Sequence, residues 1–261
     1  MRVFSFGGGV QSTAVLVLAA QGQVQYDAFV FANVGDDSEN PDTIQYVNEV
    51  SRPFAERHGI TIEEVKHTRR DGSTPTLLDR IHSDLRSVPI PMRVVDGRPG
   101  RRACTGEFKI KPIARWMKQR GATAENPFIA GLGISLDEFG RMRTSSGFDY
   151  QVLEYPLIER RITRADCIRI VTNAGLPIPP KSSCWFCPYH RRAEWSAMRR
   201  EKPEQFEASV AVEKLLNERS QALGRKPVFL SRYGRPLDQA VGLQTKMEFD
   251  DENCDGGYCG V

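Results

Sequence analysis

Met1-Arg-Val-Phe-Ser-Phe-Gly-Gly-Gly-Val-Gln-Ser-Thr-Ala-Val15 decides the fold. A short apolar run meets three consecutive glycines, then a polar pair, then an apolar stretch without breakers. That order reads as a strand over residues 2–6, a tight turn, and a helix over roughly 11–22. Glycines let backbone N–H groups approach an anion closely, and the positive end of the following helix points at the same place. Gly7, Gly8, Gly9, Gln11, Ser12 and Thr13 are therefore candidates to cradle a nucleotide's phosphates, the last two adding hydroxyl donors. The turn is neither of the two best-known glycine loops: it lacks Gly-x-Gly-x-x-Gly spacing, and no Gly-Lys-Ser/Thr follows.

Outward from this turn, strand and helix patterns alternate. Tyr26 to Asn33 reads as a buried strand, Asp42 to Gly59 as a helix ending at a glycine, and Ile60 to Val65 as a third strand. Residues 69–103 read as a long loop with a short helix near Pro75 to Leu85. Then come a helix over Lys109 to Gly121, a strand over Phe128 to Leu132, an extended run over Tyr150 to Tyr155, and a helix over Thr163 to Gly175 capped at Thr163. Residues 191–222 read as two helices divided near Pro203, and the tail from Phe249 as acidic, glycine-rich and flexible. This alternation predicts an α/β fold: a doubly wound, mostly parallel sheet of about five strands with a helical C-terminal extension. The expected organisation is a nucleotide-binding domain over 1–180 and an extension over 181–261.

The chain has 261 residues and a net charge of +3, too small to argue for nucleic-acid binding by itself. Arg98, Arg101 and Arg102 cluster before Cys104, and Arg191, Arg192, Arg199 and Arg200 follow Cys187. These read either as a solvated surface or as contacts to an anionic substrate, nucleotide or polynucleotide. No run of about 18 apolar residues predicts a membrane span. No basic region followed by an apolar core and a small-residue cleavage site opens the chain, so a cytoplasmic location is expected.

In a doubly wound sheet, ligands bind beyond the carboxyl ends of the strands. The second strand ends in Phe31-Ala-Asn-Val-Gly-Asp-Asp-Ser-Glu-Asn-Pro-Asp-Thr43, a polar run that also caps the next helix. Gly7 to Ser12 resembles the PP-loop Ser-Gly-Gly-x-Asp-Ser, with Gly8, Gly9 and Ser12 matching, Gly7 standing for the first Ser and Gln11 for the Asp. Asn33-Val34-Gly35 and Pro41-Asp42-Thr43 are similar to the Asp-Thr-Gly and Pro-Glu-Thr of the phosphoadenosine phosphosulfate (PAPS) reductases. Gly131-Leu-Gly-Ile-Ser-Leu-Asp-Glu-Phe-Gly-Arg141 resembles a nucleotide-lining segment of the same family. The chain thus resembles, over roughly residues 1–190, the PAPS reductase family within the PP-loop, adenine-nucleotide α-hydrolase-like superfamily. The resemblance implies that Asn33, Gly35, Gly133, Asp137 and Arg141 line an adenine-nucleotide site. ATP or adenylyl sulfate is the implied ligand, and Mg²⁺ is a candidate companion.

The six cysteines are Cys104, Cys167, Cys184, Cys187, Cys254 and Cys259. Cys184-Trp-Phe-Cys187 aims two thiolates at one point, as a metal or cluster pair requires. Cys167 falls inside a helical pattern and reads as a small buried hydrophobe, and Trp185, Phe186 and Tyr189 read as core. Cys104-Thr-Gly-Glu-Phe-Lys-Ile-Lys-Pro-Ile113 is similar to the cluster-bearing segment of adenylyl-sulfate reductases, with one Cys where those have two. Three arrangements stay open: a [4Fe-4S] cluster on Cys104, Cys184 and Cys187; a zinc site on the same cysteines with His190; or redox-active thiols. By the same resemblance Lys109 falls on a cluster-adjacent lysine. Cys254 or Cys259 would be a tail nucleophile.

Two activities follow. In sulfonucleotide reduction, a tail Cys attacks the nucleotide's sulfur and a thioredoxin-like reductant releases sulfite. In ATP-dependent sulfur transfer, a sulfur donor thiolates a nucleic-acid or metabolite acceptor. A non-catalytic iron–sulfur nucleotide sensor is a third reading. A homo-oligomer is expected.

Overall fold

The structure, a computed structural model, describes residues 1–83 and 87–241. In chain order the strands are β1 (Arg2–Phe6), β2 (Ala28–Asn33), β3 (Ile62–Lys66), β4 (Phe128–Leu132) and β5 (Gln151–Glu154). The helices are α1 (Val10–Ala20), α2 (Pro41–Tyr46), α3 (Arg52–Arg57), α4 (Leu77–His82), α5 (Ala103–Thr105), α6 (Lys111–Gln119), α7 (Pro156–Glu159), α8 (Arg164–Asn173), α9 (Arg192–Glu201), α10 (Pro203–Ala222) and α11 (Leu237–Ala240). The helix expected over Asp42 to Gly59 is α2 and α3 joined through a π-helical turn at Val47–Ser51. None of the described helices is long and apolar enough to cross a membrane.

The described residues fall into two compact units: Met1–Pro75 with Thr105–Ser183, and Thr76–Cys104 with Cys184 onward. The first unit holds a five-stranded sheet of order β3-β2-β1-β4-β5, parallel throughout. Alternate side chains leave opposite faces of a strand. Phe4, Phe6, Phe29 and Phe31 pack on one side with Val15 and Leu16 of α1, Phe54 of α3 and Val171 of α8. Val3, Ala28, Val30 and Ala32 pack on the other side with Ile113, Trp116 and Met117 of α6. Both faces are therefore covered, as a parallel sheet requires. Each large side chain so buried contributes about 1.5–3 kcal/mol.

The register across the middle of the sheet is pinned by polar groups. Arg2 Nη2 donates to both Glu154 oxygens at 2.7 and 2.6 Å, and the Tyr26 hydroxyl donates to the same carboxylate at 2.7 Å. Burial, reinforced by that carboxylate, holds the Tyr26 phenol well above its ordinary pKa. A Cβ on Gly131 would stand 2.5 Å from the Tyr26 hydroxyl oxygen, so only glycine leaves room for this ring over β4.

In the second unit, residues expected to be mostly loop contain α4 and a hairpin-like turn in which Val94 N–H donates to the Arg98 carbonyl at 3.0 Å. Glu213 of α10, almost fully buried, accepts the Leu230 N–H at 2.5 Å and the Leu237 N–H at 2.7 Å. One carboxylate thereby fixes the chain that returns after α10.

Candidate functional site

Strand order reverses between β1 and β4, the two neighbours that continue the sheet in opposite directions. In open α/β sheets this is where a crevice forms beyond the strand ends. The glycine turn stands there, between β1 and α1. Gly133, just past β4, closes on it: a Cβ there would lie 3.5 Å from the Ser12 nitrogen and 3.6 Å from Gln11 Cβ.

Gly8 has φ +71°, and a Cβ there would meet Val47 Cγ2 at 2.9 Å and Thr43 Cγ2 at 3.0 Å. Both conformation and space demand glycine. Gly9 caps α1 and donates its N–H to Ser12 Oγ at 3.1 Å. The first-turn N–H groups of α1 have no intrahelical acceptor by helix geometry, and the helix dipole places positive potential on them. Ser12 Oγ and Thr13 Oγ1 donate to the Gly9 carbonyl at 2.9 and 3.0 Å. Thr13 is fully buried, so its hydroxyl shapes the turn.

The loop after β2 stands beside this turn. Asn33 is spent on holding it: Oδ1 accepts the Gly35 N–H at 2.8 Å, while Nδ2 donates to Asp36 at 2.7 Å and Glu64 at 3.1 Å. Gly35 is left-handed at φ +122°. Ser182 Oγ donates to the Gly7 carbonyl, and Asn40 N–H donates to the Ser183 carbonyl at 3.0 Å, so the segment after Pro180 lies against both loops. Buried hydroxyls of Thr43, Ser135 and Ser183 have no hydrogen-bond partner among the described residues. Polar atoms orphaned around a glycine cradle fit a polar ligand such as a nucleotide.

Glu39 is fully buried, and Lys109 Nζ stands 3.6 Å from its carboxylate. Lys109 thus answers a buried negative charge beside the cradle, a role invisible in the sequence because Glu39 lies in an unremarkable polar run. Gln11, Asp137, Glu138 and Arg141 also come together. Gln11 Nε2 donates to Glu138 at 3.1 Å, and Arg141 pairs with the same carboxylate at 2.8 Å. Arg164, which sequence reasoning missed, donates from Nη1 to Gln11 Oε1 at 2.9 Å, and its backbone N–H donates to Asp137 at 2.8 Å.

The cysteines behave differently. Cys104, Cys184 and Cys187 belong to the second unit. Cys187 N–H donates to the Cys184 carbonyl at 3.1 Å, a tight turn, and Cys104 N–H donates to the Pro89 carbonyl at 2.8 Å. Among the described residues, however, no three of His, Cys, Asp and Glu converge to hold a metal. His190, the fourth zinc candidate, has Nε2 3.0 Å from the Cys184 carbonyl oxygen, while its buried Nδ1 has no hydrogen-bond partner among the described residues and lies 3.7 Å from Glu194. Trp185 and Phe186 are buried edge to face at 4.6 Å, while Tyr189 has the guanidinium of Arg93 at 5.1 Å and that of Arg102 at 5.5 Å. Cys167 is fully buried in α8, and burial pushes its thiol up to about 12. Cys254 and Cys259 lie outside the described residues.

No family model matches the chain. No curated protein matches it either. Among solved structures it is similar to the U34-tRNA thiolase NcsA from Methanococcus maripaludis with its [4Fe-4S] cluster. The TM-score is 0.43 and the identity 15%, covering 82% of this chain and 70% of that one. A likeness of this degree assigns neither family nor activity.

Proposed function

We propose that the chain is an enzyme that binds an adenine nucleotide with its phosphates on Gly7 to Ser12. The observation that carries this reading is Gly8, left-handed and walled by Val47 and Thr43, in a turn at the reversal point of a parallel sheet. The orphaned hydroxyls of Thr43, Ser135 and Ser183 supply further polar groups for the ligand.

The finer part of the proposal is ATP-dependent sulfur transfer. An acceptor oxygen attacks the α-phosphorus of ATP and releases pyrophosphate. A persulfide on Cys184 or Cys187, loaded by a persulfide donor, then displaces AMP from the acceptor carbon. The second thiol of the pair cleaves the resulting mixed disulfide, freeing the thiolated acceptor and leaving a protein disulfide for a thiol reductant. The Cys-x-x-Cys turn supports this reading over sulfonucleotide reduction, which needs a nucleophile from the tail. A [4Fe-4S] cluster enters no step of it.

The full chain is to be incubated with labelled ATP, a persulfide donor and pooled small RNA, DNA or metabolite acceptors. Acceptor-dependent pyrophosphate release is the expected result, with the thiolated product lost in Cys184→Ala and Cys187→Ala. Sulfite release from adenylyl sulfate with thioredoxin, and no pyrophosphate from ATP, would overturn it in favour of the reductase.

A further inference from the structure

We infer that the second unit binds the acceptor, and that the acceptor is a single-stranded nucleic acid held on an arginine and tyrosine surface built around the Cys184–Cys187 turn. This rests on the sulfur-transfer reading above and names the class of its acceptor.

Three stretches distant in sequence make this surface, all within the second unit: 93–102, 188–192 and 229–235. Arg93, almost fully buried, ties them together. Its backbone exchanges two hydrogen bonds with Phe229, at 2.7 and 2.8 Å. Its guanidinium donates to the Gly97 carbonyl at 3.1 Å and to the carbonyl of Pro188, the residue after Cys187, at 3.4 Å. A Cβ on Gly97 would run into the Arg232 carbonyl, and one on Gly234 into the Val95 carbonyl. The 93–100 turn and the 229–235 segment therefore meet backbone to backbone.

What this framework displays is cationic and aromatic. The Arg102 guanidinium lies 5.5 Å from the centre of the Tyr189 ring, and that of Arg192 lies 5.9 Å from the centre of the Tyr233 ring. Tyr233 is 46% exposed and is flanked in sequence by Arg232 and Arg235. The one carboxylate in the three stretches is Asp96, which pairs with Arg98 at 2.6 Å. Guanidinium groups match phosphate oxygens, and an exposed ring takes the face of a base. A small anionic metabolite would use one or two of these groups, whereas the surface repeats them over three segments. A duplex hides its base faces in the stack, so the exposed Tyr233 ring fits a single strand. An acidic peptide would meet the arginines but brings no flat face to the ring.

The test is fluorescence anisotropy of labelled oligouridine and oligothymidine, each of about 20 nucleotides, titrated with the full chain at several salt concentrations. Wild type is expected to bind at least one of them, more weakly as salt rises. Tyr233→Ala is expected to weaken binding by about fivefold or more, the scale of one lost base stack, and Tyr233→Phe to retain it. Arg102→Gln and Arg235→Gln are each expected to flatten the slope of log affinity against log salt by about 0.7, as one lost phosphate contact does. Urea unfolding of each variant checks the fold. Wild type that binds neither oligonucleotide, yet releases pyrophosphate with a metabolite acceptor, would overturn this inference alone. So would binding that Tyr233→Ala and both arginine variants leave unchanged, a duplex bound more tightly than the single strand, or polyglutamate displacing the oligonucleotide as well as unlabelled strand does. Oligonucleotide binding as expected, together with sulfite release from adenylyl sulfate, would uphold the surface and overturn the sulfur-transfer reading instead.

Discussion

Replacing Gly8 with alanine tests the cradle directly, because two separable costs meet there. The first is conformational: a non-glycine residue at φ +71° costs about 1 kcal/mol. The second is steric: the new methyl would meet Val47 Cγ2 at 2.9 Å and Thr43 Cγ2 at 3.0 Å, and such overpacking costs about 1–3 kcal/mol. Gly22, in the turn after α1, isolates the first cost. Its φ is +70°, and a Cβ there has nothing within 4 Å. Gly22→Ala is therefore expected to lose about 1 kcal/mol and Gly8→Ala about 2–4 kcal/mol. Urea unfolding followed by far-UV circular dichroism resolves the difference. At a slope of about 3 kcal/mol per molar, the gap between the variants is roughly 0.3–1 M in midpoint. ATP titration supplies the second readout: Gly8→Ala is expected to weaken binding by about tenfold or more, since a displaced turn misaims its N–H groups, with Gly22→Ala unchanged. Equal midpoints for the two variants would refute the steric argument. A stable Gly8→Ala protein with wild-type ATP affinity would refute the assignment of the turn as the phosphate cradle.

Burial raises the pKa of Glu213 from its ordinary 4.5 to about 7, against the lowering effect of its two backbone hydrogen bonds. The folded state therefore holds a proton that the unfolded state releases, so this contribution is fully present below about pH 4.5 and is lost as pH rises through about 7. At about 1.4 kcal/mol per tenfold change in proton affinity, this amounts to about 3 kcal/mol. Thermal midpoints are expected to fall more steeply between about pH 5 and pH 8 in wild type than in Glu213→Gln, and parallel pH profiles would contradict this. Lys109→Met strands the buried Glu39 carboxylate and is expected to cost about 3 kcal/mol by urea unfolding. The double change with Glu39→Gln is expected to recover most of that loss, and additive losses would show that the pair does not interact.

The amino-acid sequence by itself determined the architecture of the first unit. Local signals there agree with one another: Val3 to Phe6 before the glycines, apolar Ala28 to Asn33, and Thr163 with Asp166 boxing the start of α8. Sequence also located the turn, because a run of glycines between strand and helix is a strictly local pattern. Other features were beyond it because they join residues distant in the chain. Gln11 meets Glu138 and Arg164, Lys109 meets Glu39, and Ser182 reaches Gly7 only through the crossover connections of a parallel sheet. Asn33 read as a ligand group, yet its amide also bonds Gly35 and Asp36 of its own loop and Glu64 of β3, and such hydrogen bonding does not show in residue type. The cysteine spacing suggested a shared metal, but convergence of ligands is a three-dimensional condition that spacing leaves open. What the sequence settled was periodic and local. Which charges face each other at the cradle was decided only by the tertiary structure, because electrostatic partnership depends on distance in space and not along the chain.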